Sequence, residues 1–316
     1  MPEATCAPIC VTGGAGFGFP FRSHIVKPLL ERGYKVHAAV RDASDVAKHG
    51  HLTALPGAAD HLHFFSANLL EDDPFHDAIR GCSVVLHTVS PCFAVNCTRE
   101  NMLDPAIQGT LTVLKTCAQT PSVRRVVLTS SSGAMAISMC THPPSQYTEA
   151  DWSPEDLFEK HGILYMLSKT VAERKAREFV ASQNPAFDLV VLNPTWMLGQ
   201  VLQPTRNNSS HEIARYLAGE MKTIPNECKP VVDVRDVAAA HVAAFEKPGA
   251  HGRYLLIGWQ ETERTAPIAS AKHIRRTPYQ LKWMAATRHP RRCSMTAAAP
   301  SRTLASIDHG FNRAAT

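Results

Sequence analysis

The chain has 316 residues, 44% of them hydrophobic and 19% charged, a composition that suits a soluble globular protein with a full core and sets it apart from disordered and collagen-like chains. No apolar run approaches the length of a membrane span, and the N-terminus MPEATCAPICVTGG lacks the basic region and apolar stretch of a secretory signal, so a cytoplasmic, non-membrane protein is expected. The net charge of +5 is unevenly placed: residues 259–316 carry ten Lys/Arg against three acids, a net of +7, which leaves the first 258 at −2 and argues against a nucleic-acid partner.

Taken in chain order, short apolar runs alternate with helical segments. The runs are ICVTG (9–13), KVHAAV (35–40), HFFSANL (63–69), SVVLHTV (83–89), RVVLTSS (125–131) and DLVVLNP (188–194). Helices are predicted at about 22–32, 43–54, 74–80, 101–119 and 163–182; the last carries Leu164, Leu167, Val171 and Ala172 at helical spacing. Six strands alternating with helices predict an α/β fold with a doubly wound parallel sheet over residues 1–195. After 195 the pattern loosens. LQPTRNNSSH reads as a loop, HEIARYLAG as a short helix, VVDVRDVAAAHVAAFEKP as a short strand and an Ala-rich helix, and YLLIG as a further strand. Residues 196–258 therefore read as a small lobe that shapes a substrate pocket. From Trp259 onward there is no valine and there are only two leucines, against eleven alanines and seven threonines; 259–316 reads as an irregular, disordered basic tail or an altered C-terminal end.

The first run leads into Gly13-x-x-Gly16 ahead of a helix. Glycines let a backbone turn tightly and approach a pyrophosphate, and the helix N-terminus supplies N–H donors, so a dinucleotide is the expected ligand. A plain tight βα turn would use the same residues. The second run ends in Val40-Arg41-Asp42. A carboxylate there would accept the ribose hydroxyl of NAD, whereas a guanidinium suits the 2′-phosphate of NADP. Arg41 with Lys48 points to NADP(H), and the adjacent Asp42 keeps NAD in play.

Tyr165-Met-Leu-Ser-Lys169 opens the helix predicted at 163–182. Residues four apart share a helix face, so the two side chains can meet one ligand. A nearby ammonium lowers a tyrosine pKa from about 10 and fits it to protonate a carbonyl oxygen while hydride reaches the carbon. With six tyrosines and twelve lysines, one such pair arises by chance in roughly one chain in four, so it proves little alone. Thr129-Ser130-Ser131 at the end of the fifth run adds weight, because ligands of parallel sheets sit at the carboxyl ends of strands. Ser131 would orient the substrate carbonyl. Nine scattered cysteines without a Cys-x-x-Cys pair fit free thiols and no metal site, and the matches to a glycosylation pattern at Asn96 and Asn207 read as chance.

VTGGAGF, LLERGYKVHAAVRD, LHTVSP, DPAIQGTLTVLK, RRVVLTSSSGA, YMLSKTVAE, LNPTWMLG, VDVRDVAAAH and GRYLL together resemble an extended short-chain dehydrogenase/reductase of the dihydroflavonol 4-reductase and cinnamoyl-CoA reductase group, over about residues 8–258. The resemblance implies a Rossmann domain and an NADPH-dependent reductase of small-molecule ketones or aldehydes. It implies catalytic roles for Ser131, Tyr165 and Lys169. It places Thr12, Gly13, Gly16, Phe17, Gly18, Arg41, Lys48, Asn68, Leu69, Val89, Ser90, Thr129 and Pro194 around the cofactor, with Tyr165 and Lys169 also touching it. Sugar-nucleotide epimerases or dehydratases and hydroxysteroid dehydrogenases share this scaffold and triad, and a degenerate non-catalytic member is a further reading.

The chain departs from the family pattern in three places. The family loop runs Thr-Gly-x-x-Gly-Phe-x-Gly-Ser straight into the helix; here GFPFR separates Phe17 from Ser23, about three residues too many, and the third glycine is displaced to Gly18 ahead of Phe19 and Pro20. Pro28 also falls inside the next helix, at a cost of roughly 3 kcal/mol. Five residues after Ser131, flavonoid-specific members carry asparagine where this chain has Ala136, and GILYMLSK replaces the Asn-Trp-Tyr-Cys-Tyr run of cinnamoyl-CoA reductases. A generic aldehyde or ketone is therefore the expected substrate, with Trp152, Trp196, Met197 and Tyr216 serving either the pocket or the core. Finally, the family's C-terminal segment is not recognisable after Gly258.

Overall fold

The computed structural model describes residues 7–13, 21–67, 73–91, 97–135, 150–203, 208–221, 230–258 and 294–297. Each of the six apolar runs forms a strand: β1 (Ile9–Thr12), β2 (Val36–Val40), β3 (Leu62–Ser66), β4 (Val84–His87), β5 (Arg125–Thr129) and β6 (Asp188–Pro194). Later in the chain come β7 (Trp196–Leu198), β8 (Val231–Asp233), β9 (Gly252–Ile257) and β10 (Ser294–Ala297). The main sheet has the order β10-β9-β6-β5-β4-β1-β2-β3, parallel from β3 to β9 with β10 antiparallel at the edge. β7 and β8 pair in parallel as a separate ribbon.

The helices are α1 (Phe21–Glu31), α2 (Val46–Thr53), α3 (Ala58–His61), α4 (His76–Ile79), α5 (Asp104–Gln119), α6 (Glu155–Lys160), α7 (Leu164–Gln183), α8 (Asn208–Ala218) and α9 (Val234–Glu246). They cover both faces of the sheet, which is why β1 and β4 are buried at every position instead of alternating with polar residues. Strand geometry sends alternate side chains to opposite faces. Ile9 and Val11 pack with Ile25 and Leu29 of α1 and Val237 and Ala240 of α9. Cys10, between them, packs with Val113 and Cys117 of α5 and Ala176 of α7 on the other face.

Local chemistry sets several helix ends. Thr98 and Asn101 form a reciprocal capping box ahead of one π-type turn, Arg99–Leu103, which leads into α5. The Asp233 side chain accepts from the Arg235 backbone N–H and starts α9. α7 stops at Asn184, whose φ of 44° is left-handed. α1 continues through Pro28 because Ile25, Val26, Leu29 and Leu30 are all buried. Burying each such side chain contributes about 1.5–3 kcal/mol, and four together outweigh one interior proline at roughly 3 kcal/mol.

The chain after 195 differs from its sequence reading in two respects. β9, placed by sequence in the smaller lobe, joins the main sheet beside β6, and α9 packs in the same core as α1, so what stands apart is the β7–β8 ribbon with α8. Within the stretch read as tail without strand periodicity, Ser294–Ala297 pairs with Tyr254–Ile257. The remainder of 259–316 lies outside the described residues, as do Asn96 and Asn207.

The order β2-β1-β4 makes the crevice between β1 and β4 the switch point of the sheet, where successive connections leave in opposite directions.

Candidate active site

The site begins at the carboxyl ends of β1 and β4. Thr12 ends β1, and its hydroxyl oxygen lies 2.9 Å from His87 Nδ1 and 3.1 Å from the Thr88 backbone N–H that donates to it. The Thr88 hydroxyl returns a 2.5 Å bond to the Thr12 carbonyl, so the two strand ends are locked together. Gly13 follows with φ +72°, a left-handed turn that favours glycine. A Cβ at Gly13 would stand 3.2 Å from Val89 Cβ and 3.0 Å from Arg22 Cζ, so the turn is also a close approach between segments. Val89 and Ser90 are half-buried beside it. Gly16, Phe17, Gly18, Asn68, Leu69 and Ala136 lie outside the described residues.

Arg41 stands exposed just past β2, with no ion pair among the described residues. Its neighbour Asp42 accepts from the Ser44 backbone N–H at 2.9 Å and from the Ser44 hydroxyl at 2.6 Å. Those bonds hold the Asp42 carboxyl below its usual range and tie it into its own turn. Lys48 is ion-paired with Asp45 instead of standing free beside Arg41. Both partners are at least partly exposed, so little holds that pair against a competing phosphate.

At the end of β5, Ser131 Oγ accepts from the Gly133 N–H at 3.1 Å, which leaves the serine hydrogen for another acceptor. A Cβ at Gly133 would lie 3.4 Å from Ser131 Oγ and 3.1 Å from Met166 Cγ. The missing side chain thus leaves room for Met166, the neighbour of Tyr165 in the first turn of α7, beside the turn that follows the serine. Lys169, one turn later, is only 5% exposed, and its charge reaches His87 at the end of β4. Ser131 thus lies just past β5, and Tyr165 and Lys169 lie in the first two turns of α7. Pro194 is buried at the end of β6. Thr129 is buried too, and its hydroxyl lies 2.7 Å from His241 Nε2, while His241 Nδ1 lies 2.8 Å from the Val237 carbonyl. With Nδ1–H donating to that carbonyl, Nε2 must accept from Thr129, so the threonine hydrogen turns toward α9.

Behind the site lies an ion pair that sequence reading did not single out. Glu173 and Arg253 pair with side chains no more than 1% exposed. Burial pushes the Glu173 carboxyl up, against the pull of the Arg253 guanidinium and of the Ser130 hydroxyl, which donates to it at 2.6 Å. Arg253 also donates to the Asp151 and Ala134 carbonyls at 2.8 and 3.2 Å and lies 3.8 Å from the Trp152 ring centroid. Trp152 is therefore a cation–π platform. Met197 is in the core, while Trp196 and Tyr216 are half-buried.

Two buried histidines frame the site as neutral rings. Burial, with the charges of Lys169 and Arg22, lowers His87 to about 3; burial, opposed by the bond to Val237, lowers His241 to about 4. An unfolded chain, with histidine near 6.5, takes up these protons first. The stability they contribute is complete above pH 6.5 and is lost as pH falls toward the folded values, by about 1.4 kcal/mol per pH unit for each ring. The urea midpoint is expected to fall steadily between pH 7 and pH 5, and a flat midpoint over that range would contradict the assignment.

His87 Nε2 has no hydrogen-bond partner among the described residues. An orphaned polar atom, a side-chain-free turn at Gly13 and two cations directed at one crevice fit a polyanionic ligand bound across β1 and β4.

The model of the NAD dependent epimerase/dehydratase family matches residues 9–258. Cinnamoyl-CoA reductase CAD2 of Medicago truncatula is 40% identical over 273 residues, which cover 86% of this chain and 80% of that protein. Vestitone reductase from alfalfa superposes with a TM-score of 0.68 at 34% identity, covering 80% of this chain and 77% of its own. Gre2 of Candida albicans in complex with NADPH superposes with a TM-score of 0.70 at 31% identity, covering 81% and 79%.

Proposed function

The chain belongs to the NAD dependent epimerase/dehydratase family, and from that premise we propose that it is an NADPH-dependent reductase that converts a small-molecule ketone or aldehyde to its alcohol. The observation that carries the reading is that Ser131 Oγ and Met166, the neighbour of Tyr165, both border Gly133, with buried Lys169 one turn on from Tyr165. The names of its relatives support a carbonyl reductase, and the NADPH complex of Gre2 supports the cofactor.

Gly13, Val89, Ser90, Thr129 and Pro194 would border the cofactor, with Arg41 at its 2′-phosphate. When bound, NADPH supplies a hydride to the carbonyl carbon. Ser131 donates its hydrogen to the carbonyl oxygen and fixes it beside Tyr165. Tyr165 gives its phenolic proton to that oxygen as negative charge develops there. Lys169 stabilises the resulting phenolate through the helix face they share. His87, held neutral by burial, adds no competing charge to the crevice.

The test is product analysis with a panel of aldehydes and ketones. A reductase consumes one NADPH per alcohol formed, whereas an epimerase recycles its cofactor and consumes none. Arg41→Ala tests the cofactor assignment. A charge-assisted contact contributes about 1.5–3 kcal/mol, so NADPH affinity is expected to fall about 10- to 100-fold while NADH affinity stays within a factor of two. Equal loss for both cofactors would remove Arg41 from the 2′-phosphate. Asp42, engaged by Ser44, is not positioned to favour NAD in its place.

A further inference from the structure

The extra loop residues bring an arginine to a place where the family pattern has none. In that pattern a glycine immediately precedes the serine that enters the helix; here Arg22 immediately precedes Ser23. Arg22 lies in the first turn of α1, and both of its neighbours are committed elsewhere. Phe21 is 1% exposed with its ring 5.6 Å from that of His241, and Ser23 Oγ lies 2.9 Å from His51 Nε2 of α2. Successive helical residues point about 100° apart, so fixing Phe21 and Ser23 fixes the direction of Arg22.

That direction is the switch-point crevice. Arg22 is 4% exposed and donates to the Thr88 carbonyl at 3.0 Å, just past β4. Its Cζ and Nη1 would stand 3.0 and 3.1 Å from a Cβ on Gly13, just past β1. Its charge, like that of Lys169, acts on His87 between them. One guanidinium therefore spans the ends of the two strands that border the crevice, and a side chain at Gly13 would crowd it. A guanidinium presents five N–H donors in a planar fork and stays charged at every physiological pH. A dinucleotide carries its diphosphate at this part of a doubly wound sheet, beside the first βα turn.

We propose that Arg22 is a diphosphate-binding residue, supplying a full positive charge and a planar donor fork where a glycine-lined helix end would supply backbone N–H groups alone. The inference rests on the dinucleotide reading above and adds a ligand contact to it. Arg22 acts on the part shared by NADPH and NADH, whereas Arg41 acts on the 2′-phosphate alone.

The test is calorimetric titration of the full chain and of Arg22→Gln with NADPH, NADH and adenosine 2′-monophosphate, with a thermal melt of each protein. Arg22→Gln is expected to weaken both dinucleotides by a similar factor, about 10- to 100-fold, and to leave adenosine 2′-monophosphate, which has no diphosphate, within a factor of two. Arg22→Lys, which keeps the charge but loses the fork, is expected to recover part of the loss. Unchanged or tighter dinucleotide binding by Arg22→Gln overturns the proposal, the tighter case showing that Arg22 obstructs the crevice. If Arg22→Gln does not fold, a crystal structure of the unaltered chain with NADPH decides: a guanidinium nitrogen within 3.2 Å of a diphosphate oxygen is expected, and one left on the Thr88 carbonyl with the diphosphate elsewhere overturns it. Failure of the unaltered chain to bind either dinucleotide would sink the functional reading and this inference together. Binding by the unaltered chain and by Arg22→Gln alike would sink only this inference.

Discussion

Tyr165→Phe is expected to lower kcat by about 10²- to 10⁴-fold, the range typical of a lost general acid, while NADPH affinity stays within a few-fold. The substitution removes one oxygen from a half-buried ring and leaves the α7 turn on Gly133 intact. Lys169→Met should lower kcat as well, but it should also weaken NADPH, because the ammonium is expected to touch the cofactor besides stabilising the phenolate. The split between the two variants is the informative feature: the loss at Tyr165 is expected mainly in kcat, that at Lys169 in kcat and in cofactor affinity together. A Phe variant that kept more than a tenth of the activity would take the proton donor away from Tyr165.

The second large effect is structural. Glu173→Gln should destabilise the fold by about 3–5 kcal/mol, because it leaves the Arg253 guanidinium charged, dry and without its carboxylate. The expectation is strong here because both side chains are at most 1% exposed, so water cannot take over the lost contact. Removing both charges together, as in Glu173→Leu with Arg253→Met, should cost less than the sum of the two single changes, since no unpaired charge remains, although the Ser130 hydroxyl and the Asp151 and Ala134 carbonyls lose a partner. Urea midpoints of Glu173→Leu, Arg253→Met and the double variant measure this directly, and strictly additive losses would mean that the pair contributes no coupling. Trp152 should report the change spectroscopically, as its ring lies against Arg253.

The sheet was legible because its central strands are buried on both faces. Runs such as SVVLHTV and DLVVLNP have no solvent-facing period to blur them, and the structure begins and ends them within a few residues of their apolar limits. α5 and α7 were legible for the complementary reason, long stripes at helical spacing. α3 and α6, of four and six residues, are too short to show a period and were missed. α2 begins at Val46 instead of 43 because the Asp42 side chain bonds to Ser44 and holds the intervening residues in a turn.

In the site, the placement of Ser131 at a strand end and of Tyr165 and Lys169 on one helix could be read locally. The supporting groups could not. Glu173 meets Arg253 across 80 residues, Thr129 meets His241 across 112, and Thr12 meets His87 across 75. Each pairs side chains on elements that only the sheet order brings together. A histidine inside the apolar run SVVLHTV, and another inside an Ala-rich helix, were the available signals, since an imidazole in such company needs a buried partner. Arg22 shows the same limit from the other side. The sequence displayed the irregular loop, but only the packing of Phe21 and Ser23 shows where the extra charge points.

Every role proposed above depends on the crevice between β1 and β4 holding a dinucleotide. The most direct measurement is a titration of the purified, folded chain with NADPH, followed by nicotinamide fluorescence, with NADH in parallel. Saturable binding of NADPH, tighter than that of NADH, is expected. Absence of binding by either, from a chain that melts cooperatively, would contradict it.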